Sequence, residues 1–461
     1  MRRPFDFRSS FFSSLGLLLV SAGSGIGATL LVPAEYPTIQ AGIDAAVDGD
    51  VVLVAPGTYR GDGNRDIRFH GKDLRVLGEG GASVTIIDPE QTNRGFTLEG
   101  SDEPISASIE GFTIRNGRSR WLPVGSWDGG GILIYDSRAS IRNCIIEDCE
   151  SEIAGGGVYV RTDGPVTIEG CTIRGNIAHA DPDVSGRGGG LAVQGPVTVV
   201  DCTIEDNVAV TSVLSGGPRG GGVLATGGAS IERCHIAGNE AIGWDSLAGQ
   251  GGGVAGSDFT VRSSYIQGNS ADLGGGISSS GSLCRAESCV ITGNFAVQGG
   301  GLVASSGVLE VLTSTVTSNR VDTSSFEETP RGGGLAALSG AQVLLDATIL
   351  WGNCAPTGDS GAFVESGGSL GLACCAWELA LLEGAGDVST DEESFDADPL
   401  FCLPLDCGAA PSADGDYSLH ADSPCLPGGN GCGVRIGAET EGCGATPVRE
   451  ASWGGIKAMF R

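Results

Sequence analysis

The residues whose types could bind a ligand are concentrated in five segments of varying length, at 117–128, 179–187, 210–219, 242–250 and 322–331. Binding sites for small molecules and sugars combine aromatic rings with a few polar and charged groups. The candidate binding residues of these types are Trp121, Trp127, His179, Arg219, Trp244 and Asp245. Loops of variable length on a rigid scaffold often carry such sites. The alternative interpretation is that these segments only decorate an edge of the fold that tolerates insertions.

One of these segments also holds the nearest approach to a catalytic set. Asp181 and Asp183 flank a proline, and Arg187 follows four residues later. Carboxylates beside a base could transfer a proton or bind calcium, but an acidic segment broken by proline is also a common turn. No Cys-x-x-Cys pair stands at the spacing of a zinc site. The sequence therefore predicts no metal site and no cofactor, with calcium as the alternative.

An internal repeat places these segments at equivalent positions. A Gly-Gly-Gly triplet followed by an apolar residue recurs eight times at steps of 23 to 33 residues. The triplets begin at Gly129, Gly155, Gly188, Gly220, Gly251, Gly274, Gly299 and Gly332. A second landmark, Cys-x-Ile-x-x-Asn-x-Ala or a close variant, stands between triplets. The five segments lie between this landmark and the next triplet.

Apolar columns appear when the repeats are aligned on these landmarks. The column after the triplet contains Ile132, Val158, Leu191, Val223, Val254, Ile277, Leu302 and Leu335. Mostly polar residues such as Glu169 and Glu232 alternate with further apolar columns around the Cys position. A period of two indicates strands with one buried face, and short strands of this kind can bury it by winding into stacked, three-sided coils. The predicted fold is all-β, a single-stranded right-handed parallel β-helix (solenoid) with a short N-terminal capping helix.

Glycines and asparagines are expected at the corners of the coils. Glycine adopts backbone angles that a Cβ forbids and lets neighbouring coils approach closely. Asparagine tolerates the left-handed region, and its amide can bond to the asparagine of the next coil. The predicted structural ladder is Asn176, Asn207, Asn239, Asn269 and Asn294, continued by Asn319 and Asn353.

A column of small residues contains most of the cysteines in the repeats. Its members are Cys144, Cys171, Cys202, Cys234 and Cys289, with Ser264, Ser314 and Thr348 in the other repeats. We interpret the column as inward packing. Because stacked Cα atoms about 4.8 Å apart fall within the disulfide range, a bridge such as Cys171 to Cys202 is the alternative.

Composition and charge exclude several classes of protein. A formal net charge of −29 argues against nucleic-acid binding, since a duplex binder needs a basic surface. An acidic coat suits solubility or, alternatively, divalent cations. Beyond the N-terminus, glycine and charged residues interrupt every apolar run well before the roughly 18 residues of a membrane span. We expect a monomer without a transmembrane segment in the mature chain.

The N-terminus and the 15 cysteines indicate export. Arg2, Arg3 and Arg8 precede an apolar stretch at 15–20 and a run of small residues, which is the layout of a secretory signal. We expect a bacterial-type exported protein, secreted or held at the cell envelope, in an oxidising compartment. The predicted organisation is a signal peptide at 1–28, a β-helix at 29–371 with its cap at 33–60, a cysteine-rich closing segment at 372–447 and a tail at 448–461. Disulfide candidates in the closing segment are Cys402, Cys407, Cys425, Cys432 and Cys443.

Two features resemble known families. Residues 37–59 contain Pro-Thr-Ile-Gln, Gly-Asp and Pro-Gly-Thr-Tyr, and in this they resemble the N-terminal cap of the pectin-lyase-like superfamily. The pairing of Gly-Gly-apolar with Ile-x-x-Asn is similar to the repeats of polymorphic outer-membrane proteins. Both resemblances imply a secreted parallel β-helix repeat protein.

The resemblance to pectin-lyase-like proteins also implies what an active site would contain. A lyase would use calcium-binding carboxylates with an Arg or Lys base, to which Asp181, Asp183 and Arg187 are the nearest match. The hydrolase motifs Asn-Thr-Asp, Gly-Asp-Asp and Arg-Ile-Lys are absent. The sequence therefore favours a non-catalytic role in adhesion, scaffolding or carbohydrate binding, with a polysaccharide or cell-surface glycan as partner. The alternative is an enzyme with a divergent site, a polysaccharide lyase before a glycoside hydrolase, acting on uronate-type polysaccharides.

Overall fold

The computed structural model describes residues 27–100, 106–119, 128–179, 186–211, 216–243, 248–322, 330–355, 361–378 and 382–443. Within these ranges the chain winds into a right-handed parallel β-helix, which confirms the predicted fold class. The predicted signal peptide, apart from residues 27 and 28, and the whole predicted tail lie outside the described residues.

Each complete coil passes through sheet 2, sheet 1, sheet 3 and sheet 4 in that order. Sheet 1 contains β1 (Thr29–Val32), β2 (Val51–Val54), β5 (Arg75–Gly78), β8 (Ser106–Glu110), β11 (Arg138–Arg142), β15 (Val166–Glu169), β19 (Val197–Val200), β23 (Ser230–Glu232), β27 (Thr260–Arg262), β31 (Leu283–Glu287), β35 (Gly307–Leu312), β39 (Ala341–Asp346), β42 (Ser369–Ala373) and β45 (Asp387–Thr390). Sheet 2 contains β4 (Ile67–Arg68), β7 (Phe96–Glu99), β10 (Ile132–Tyr135), β14 (Val158–Arg161), β18 (Leu191–Gln194), β22 (Val223–Thr226), β26 (Val254–Ser257), β30 (Ile277–Ser279), β34 (Leu302–Ala304), β38 (Leu335–Ala337), β41 (Ala362–Val364) and β44 (Leu382–Gly384). Sheet 3 contains β3 (Gly57–Tyr59), β6 (Thr85–Ile87), β9 (Thr113–Arg115), β12 (Ile145–Glu147), β16 (Thr172–Arg174), β20 (Thr203–Glu205), β24 (His235–Ala237), β28 (Tyr265–Gln267), β32 (Val290–Thr292), β36 (Thr315–Thr317), β40 (Ile349–Trp351) and β43 (Ala376–Trp377). Sheet 4 contains β13 (Glu150–Ser151), β17 (Ile177–Ala178), β21 (Val208–Val210), β25 (Glu240–Ile242), β29 (Ser270–Ala271), β33 (Phe295–Ala296) and β37 (Arg320–Val321).

The coils have a fourth side that the three-sided prediction lacks. The strands of sheet 4 have only two or three residues, and all of them except β13, which follows Cys149, begin directly after the asparagine of the second landmark. Their inward residue is small, as at Ala178 and Ala209, both fully buried. The coils also continue to β45, so they extend past the predicted boundary at residue 371.

The apolar columns form the core inside this tube. All eight residues of the column after the triplet are 0% exposed. In sheet 2 they pair in parallel register, for example Ile132 with Val158 and Val158 with Leu191. Burial of each such side chain contributes about 1.5–3 kcal/mol to stability. The stacking of coils therefore supplies most of the energy that holds the fold.

Each of the three positions in a triplet requires glycine for a different structural reason. The first has φ between +62° and +69° in all eight triplets, a region that L-residues rarely adopt. A Cβ on the second would collide with backbone, as at Gly156, where it would lie 2.3 Å from the Gly189 carbonyl oxygen. In seven of the eight triplets a Cβ on the third would crowd the buried asparagine of the same coil, as at Gly157, where it would lie 2.8 Å from the Gly190 carbonyl oxygen and 3.1 Å from Asn176.

The asparagines form a continuous internal ladder. Asn176 donates from Nδ2 to Oδ1 of Asn207 at 2.9 Å, and its backbone N–H donates to the same oxygen at 3.0 Å. Its Nδ2 also donates to the carbonyl oxygen of Ile146 at 2.9 Å. The expected left-handed backbone is not at asparagine but at the residue before it, as at Gly175 with φ +62° and Gly238 with φ +63°. This difference arises because the side chain must point inward to reach the backbone of the neighbouring coil.

The cysteine column carries free thiols, so the alternative of disulfides between stacked coils is wrong. Here too the inward side chain accepts a hydrogen bond from the backbone of the preceding coil. The N–H of Cys171 donates to Sγ of Cys202 at 3.4 Å, and the N–H of Cys234 donates to Oγ of Ser264 at 3.0 Å. Cysteine, serine and threonine alternate in this column because all three are small and can accept that bond.

Nine of the 15 cysteines are free and buried, since three disulfides use the other six. Burial raises the pKa of Cys149 and of Cys289 to about 12. Because all nine free thiols are buried, we expect a thiol reagent to leave the native protein unmodified in mildly alkaline buffer and to modify nine thiols after denaturation without reductant. A lower count after denaturation would contradict this result, because it would reveal a bridge among these nine cysteines.

The closing segment packs along the outer face of sheet 3. Its strands β46 (Phe401–Leu403), β47 (Asp416–His420) and β48 (Glu441–Cys443) form a small fifth sheet, and a 3-10 turn spans Cys407–Ala409. The N–H of Ser412 donates to the carbonyl of Gly293 at 2.9 Å, and that of Gly437 donates to the carbonyl of Ala347 at 2.8 Å. The disulfides are Cys354–Cys407, Cys374–Cys432 and Cys402–Cys443.

The disulfide prediction for Cys425 is wrong. This residue is fully buried in an apolar cluster with Ile349, Leu419 and Ile436, and its thiol is free. Burial raises its pKa to about 12. Cys407 pairs with Cys354, which belongs to the coils and lies outside the predicted closing segment, and Cys432 pairs with Cys374, which lies near the start of that segment.

A helix, α1 (Ile39–Ala45), covers the core at the N-terminal end. Thr38 is its N-cap and accepts from the N–H of Ala41 at 3.2 Å. Ile39 and Ile43 are fully buried, and the helix contacts β1, β2 and β4, the first strands of two sheets. It thereby shields the edge of the tube that no earlier coil covers.

Candidate functional site

A groove of about 330 Å³ runs across three coils on the outer face of sheet 2. Its floor is one outward row, in which Tyr159 pairs with Ala192 and Ala192 with Leu224. Gln194 and Thr226, paired in the same sheet, add polar groups. We call this surface the arginine groove, and its lining is Asp128, Ile153, Ala154, Tyr159, Arg187, Ala192, Val193, Gln194, Arg219, Leu224 and Thr226.

One side of the arginine groove is built by the residue that precedes each glycine triplet. These residues form a parallel bridge row made of Ala154, Arg187, Arg219, Gln250, Leu273, Gln298 and Arg331. The N–H of Gly155 donates to the Arg187 carbonyl at 2.9 Å, and that of Gly188 donates to the Arg219 carbonyl at 2.8 Å. The two arginines are therefore fixed in register, although they border segments of variable length.

The two arginines bring unneutralised positive charge to this row. Both are exposed, and neither forms an ion pair within the described part of the chain. Partial burial lowers the pKa of Arg219, and the neighbouring charge of Arg187 lowers it further. Most other arginines of the coils are paired, as Arg174 is with Glu147 at 2.7 Å. The groove is thus a local cationic site on a strongly acidic protein.

Asp128 and Tyr159 add a carboxylate and a phenol to the lining of the arginine groove. Burial raises the pKa of Tyr159 to about 12, and the charge of Asp128 adds to this rise. Arg94 anchors the segment beneath by donating to the carbonyl oxygens of Asp128 at 3.0 Å and Gly129 at 3.2 Å. Tyr159 therefore remains a neutral hydrogen-bonding aromatic group at physiological pH.

The structure brings together two of the site residues predicted from the sequence, Arg187 and Arg219. His179 lies elsewhere, beyond sheet 4, where its Nε2 is 3.4 Å from Glu150, which also pairs with Arg118 at 3.2 Å. The other predicted site residues, which lie outside the described residues, are Trp121, Trp127, Asp181, Asp183, Trp244 and Asp245.

Asp128 and Tyr159 also line the arginine groove, but the sequence did not identify them as site residues. The alternation of the strand marked Tyr159 as outward, but only the observed stacking shows that this outward row adjoins the arginines.

In the described ranges, no three His, Cys, Asp or Glu side chains are grouped as metal ligands would be. No helix in these ranges is both long enough and apolar enough to cross a bilayer.

Comparisons with known proteins give two solved structures and one family model. The crystal structure of pectate lyase Pel9A is 13% identical with a TM-score of 0.41, covering 87% of this chain and 90% of that one. The siphovirus 9NA tailspike receptor binding domain is 11% identical with a TM-score of 0.30, covering 80% of this chain and 77% of that one. Neither likeness supports an inference about what this chain binds, and no curated protein matches it significantly. The family model for the right-handed β-helix region matches residues 82–348, more than half of the chain, which therefore belongs to that family.

Proposed function

We propose that this chain is an exported, non-catalytic β-helix that binds an anionic polysaccharide in the arginine groove, in adhesion or scaffolding outside the cell. The single observation that carries the proposal is the pair of exposed arginines, without an ion pair among the described residues, held in register beside the Tyr159 floor. The three disulfides are compatible with an extracellular location.

The shape of the arginine groove favours a chain-like ligand. It crosses the stacked strands β14, β18 and β22 and so follows the axis along which the coils are stacked. A floor of Tyr159, Ala192 and Leu224 offers apolar and aromatic contact to sugar rings, while Gln194 and Thr226 can bond to hydroxyls.

The charge of the protein makes the site selective. With a net charge of −29, most of the surface repels an anionic polymer, so attraction must come from a local cationic site. Each charged hydrogen bond from Arg187 or Arg219 contributes about 1.5–3 kcal/mol, which corresponds to roughly tenfold or more in affinity.

Affinity electrophoresis tests the proposal. We expect retention of the wild-type protein in gels that contain an anionic polysaccharide, either a polyuronate or a sulfated glycan, and no retention with neutral dextran. The double variant Arg187→Gln/Arg219→Gln should lose at least about tenfold in affinity because both cationic contacts are removed.

The matched control is Arg142→Gln/Arg233→Gln. These arginines are also exposed, but they pair with Glu169 at 3.0 Å and Asp201 at 2.7 Å. The control changes the net charge by the same amount and should leave retention unchanged. Equal retention of both double variants, or no retention on any anionic polymer, would contradict the proposed function.

A second candidate function, polysaccharide lyase, is favoured by the position of Arg219 in the arginine groove, where burial and the charge of Arg187 lower its pKa in the direction that a base requires. In β-elimination a base removes the C5 proton of a uronate, the C4–O bond breaks, a C4–C5 double bond forms and the departing oxygen takes up a proton. Ultraviolet absorbance of the unsaturated product would reveal this reaction on uronate polymers with calcium. If the wild-type protein forms this product and Arg219→Gln does not, the lyase function replaces the binding proposal. If the wild-type protein forms no product, the result supports binding without catalysis.

A further inference from the structure

We propose that Arg187 and Arg219 together hold one tetrahedral oxyanion, the sulfate ester of a sulfated glycan. This inference rests on the proposed function and names its substrate class. The juxtaposition that carries it is a pair of guanidinium groups on adjacent coils that line the arginine groove and form no ion pair with the residues that the structure describes.

The spacing of the two arginines favours a single shared group. They are direct neighbours in a parallel bridge, so their Cα atoms lie about 4.8 Å apart. Both line the arginine groove, which has a volume of about 330 Å³, so the two side chains can reach the same charged group of a ligand. Two separate anions at this distance would repel each other strongly.

The donor count favours a tetrahedral anion over a carboxylate. Two guanidinium groups offer about ten N–H donors and no acceptor. One arginine fork already satisfies the two oxygens of a carboxylate. A sulfate ester has three terminal oxygens in a tetrahedral arrangement, so it can accept from two forks that approach from adjacent coils.

In the bridge row, the residues on both sides of Arg187 and Arg219 are neutral, so the positive charge is confined to these two positions. Ala154 precedes Arg187 in the bridge row, and Gln250 follows Arg219. A polyuronate with a carboxylate on every sugar would therefore meet neutral residues on both sides of the pair. The arrangement suits a chain with a discrete anionic substituent, whose neighbouring hydroxyls can reach Gln194 and Thr226.

Electrostatics within the pair supports the same ligand. Partial burial disfavours the charged form of Arg219, and the charge of Arg187 disfavours it further. A bound anion between them would relieve both effects at once.

The test compares chondroitin sulfate with its chemically desulfated form, because the two share one uronate-containing backbone and differ in the ester. We expect the full-length protein to bind the sulfated polymer with a Kd at least about tenfold lower in titration calorimetry. Either single variant, Arg187→Gln or Arg219→Gln, should abolish this preference. The control Arg142→Gln/Arg233→Gln should keep it.

The outcomes separate the two proposals. Equal affinity for both polymers, or a sulfate preference that both single variants retain, would overturn this inference while binding to anionic glycan stands. No binding to either polymer or to any polyuronate would overturn the proposed function itself. Inorganic sulfate should compete with the sulfated polymer, and binding of inorganic sulfate without any sulfated glycan would overturn the assignment to an ester.

Discussion

Replacing Asn269 with leucine should lower the free energy of unfolding by about 3–6 kcal/mol, because several buried polar groups lose their partners at once. Oδ1 of Asn269 accepts from the backbone N–H of Asn239 at 3.0 Å and from its Nδ2 at 2.9 Å. Nδ2 of Asn269 donates to the carbonyl of Ile236 at 3.0 Å. Leucine has a similar size but offers no replacement for any of these bonds. Chemical denaturation followed by circular dichroism measures the loss.

Asn143→Gly is the matched control for this variant. Asn143 is exposed at a corner of the coil with φ +49°, which glycine adopts without strain. We expect its stability to remain within about 0.5 kcal/mol of the wild-type value. If Asn269→Leu also stayed within that range, the ladder would not be a source of stability.

Gly221→Ala should destabilise the protein by about 3 kcal/mol or more, near the upper end of what overpacking costs. The added Cβ would lie 2.4 Å from the carbonyl oxygen of Glu240 and 2.5 Å from its carbonyl carbon. Those atoms belong to backbone that cannot retreat, since the N–H of Glu240 is bonded to the carbonyl of Asn207 at 2.9 Å. The midpoint of denaturation and the resistance of the native coils to protease both measure this effect.

Gly57→Ala provides the comparison within the same fold. A Cβ on Gly57 would approach only the ring of Tyr59, at 3.6 Å or more, which is an ordinary contact. The stability of Gly57→Ala should be unchanged or raised by up to about 1 kcal/mol, because alanine restricts the unfolded chain. Equal effects of the two substitutions would show that close approach of the coils does not require glycine in the triplet.

Much of the fold could be predicted because the repeat samples each position many times. One column, from Ile132 to Leu335, contains no polar residue, and every member is buried. Sheet 4 could not be predicted, because a strand of two residues such as Ile177–Ala178 has no alternation to read. The repeated triplet and the repeated asparagine were recognised as separate landmarks, whereas the structure shows that Gly157 leaves room for the amide of Asn176.

The candidate site could be predicted only in part. Arg187 and Arg219 are candidates from the sequence because they lie in variable segments, and the structure gives them the regular position before a triplet. Tyr159 belongs to a different strand from either arginine, and only the stacking of coils brings it into the same groove. The roles proposed for Trp127 and Trp244 remain predictions.

The asparagine ladder has a direction, and this direction bears on how such a chain can change its length. Each rung bonds forward to the next in the same way, as Asn176 does to Asn207 and Asn207 to Asn239. A duplicated coil spliced between two rungs would find a donor on one side and an acceptor on the other, with no bond left broken. Genetic duplication can therefore lengthen or shorten the molecule in whole-coil steps, while the chemistry at each junction is conserved.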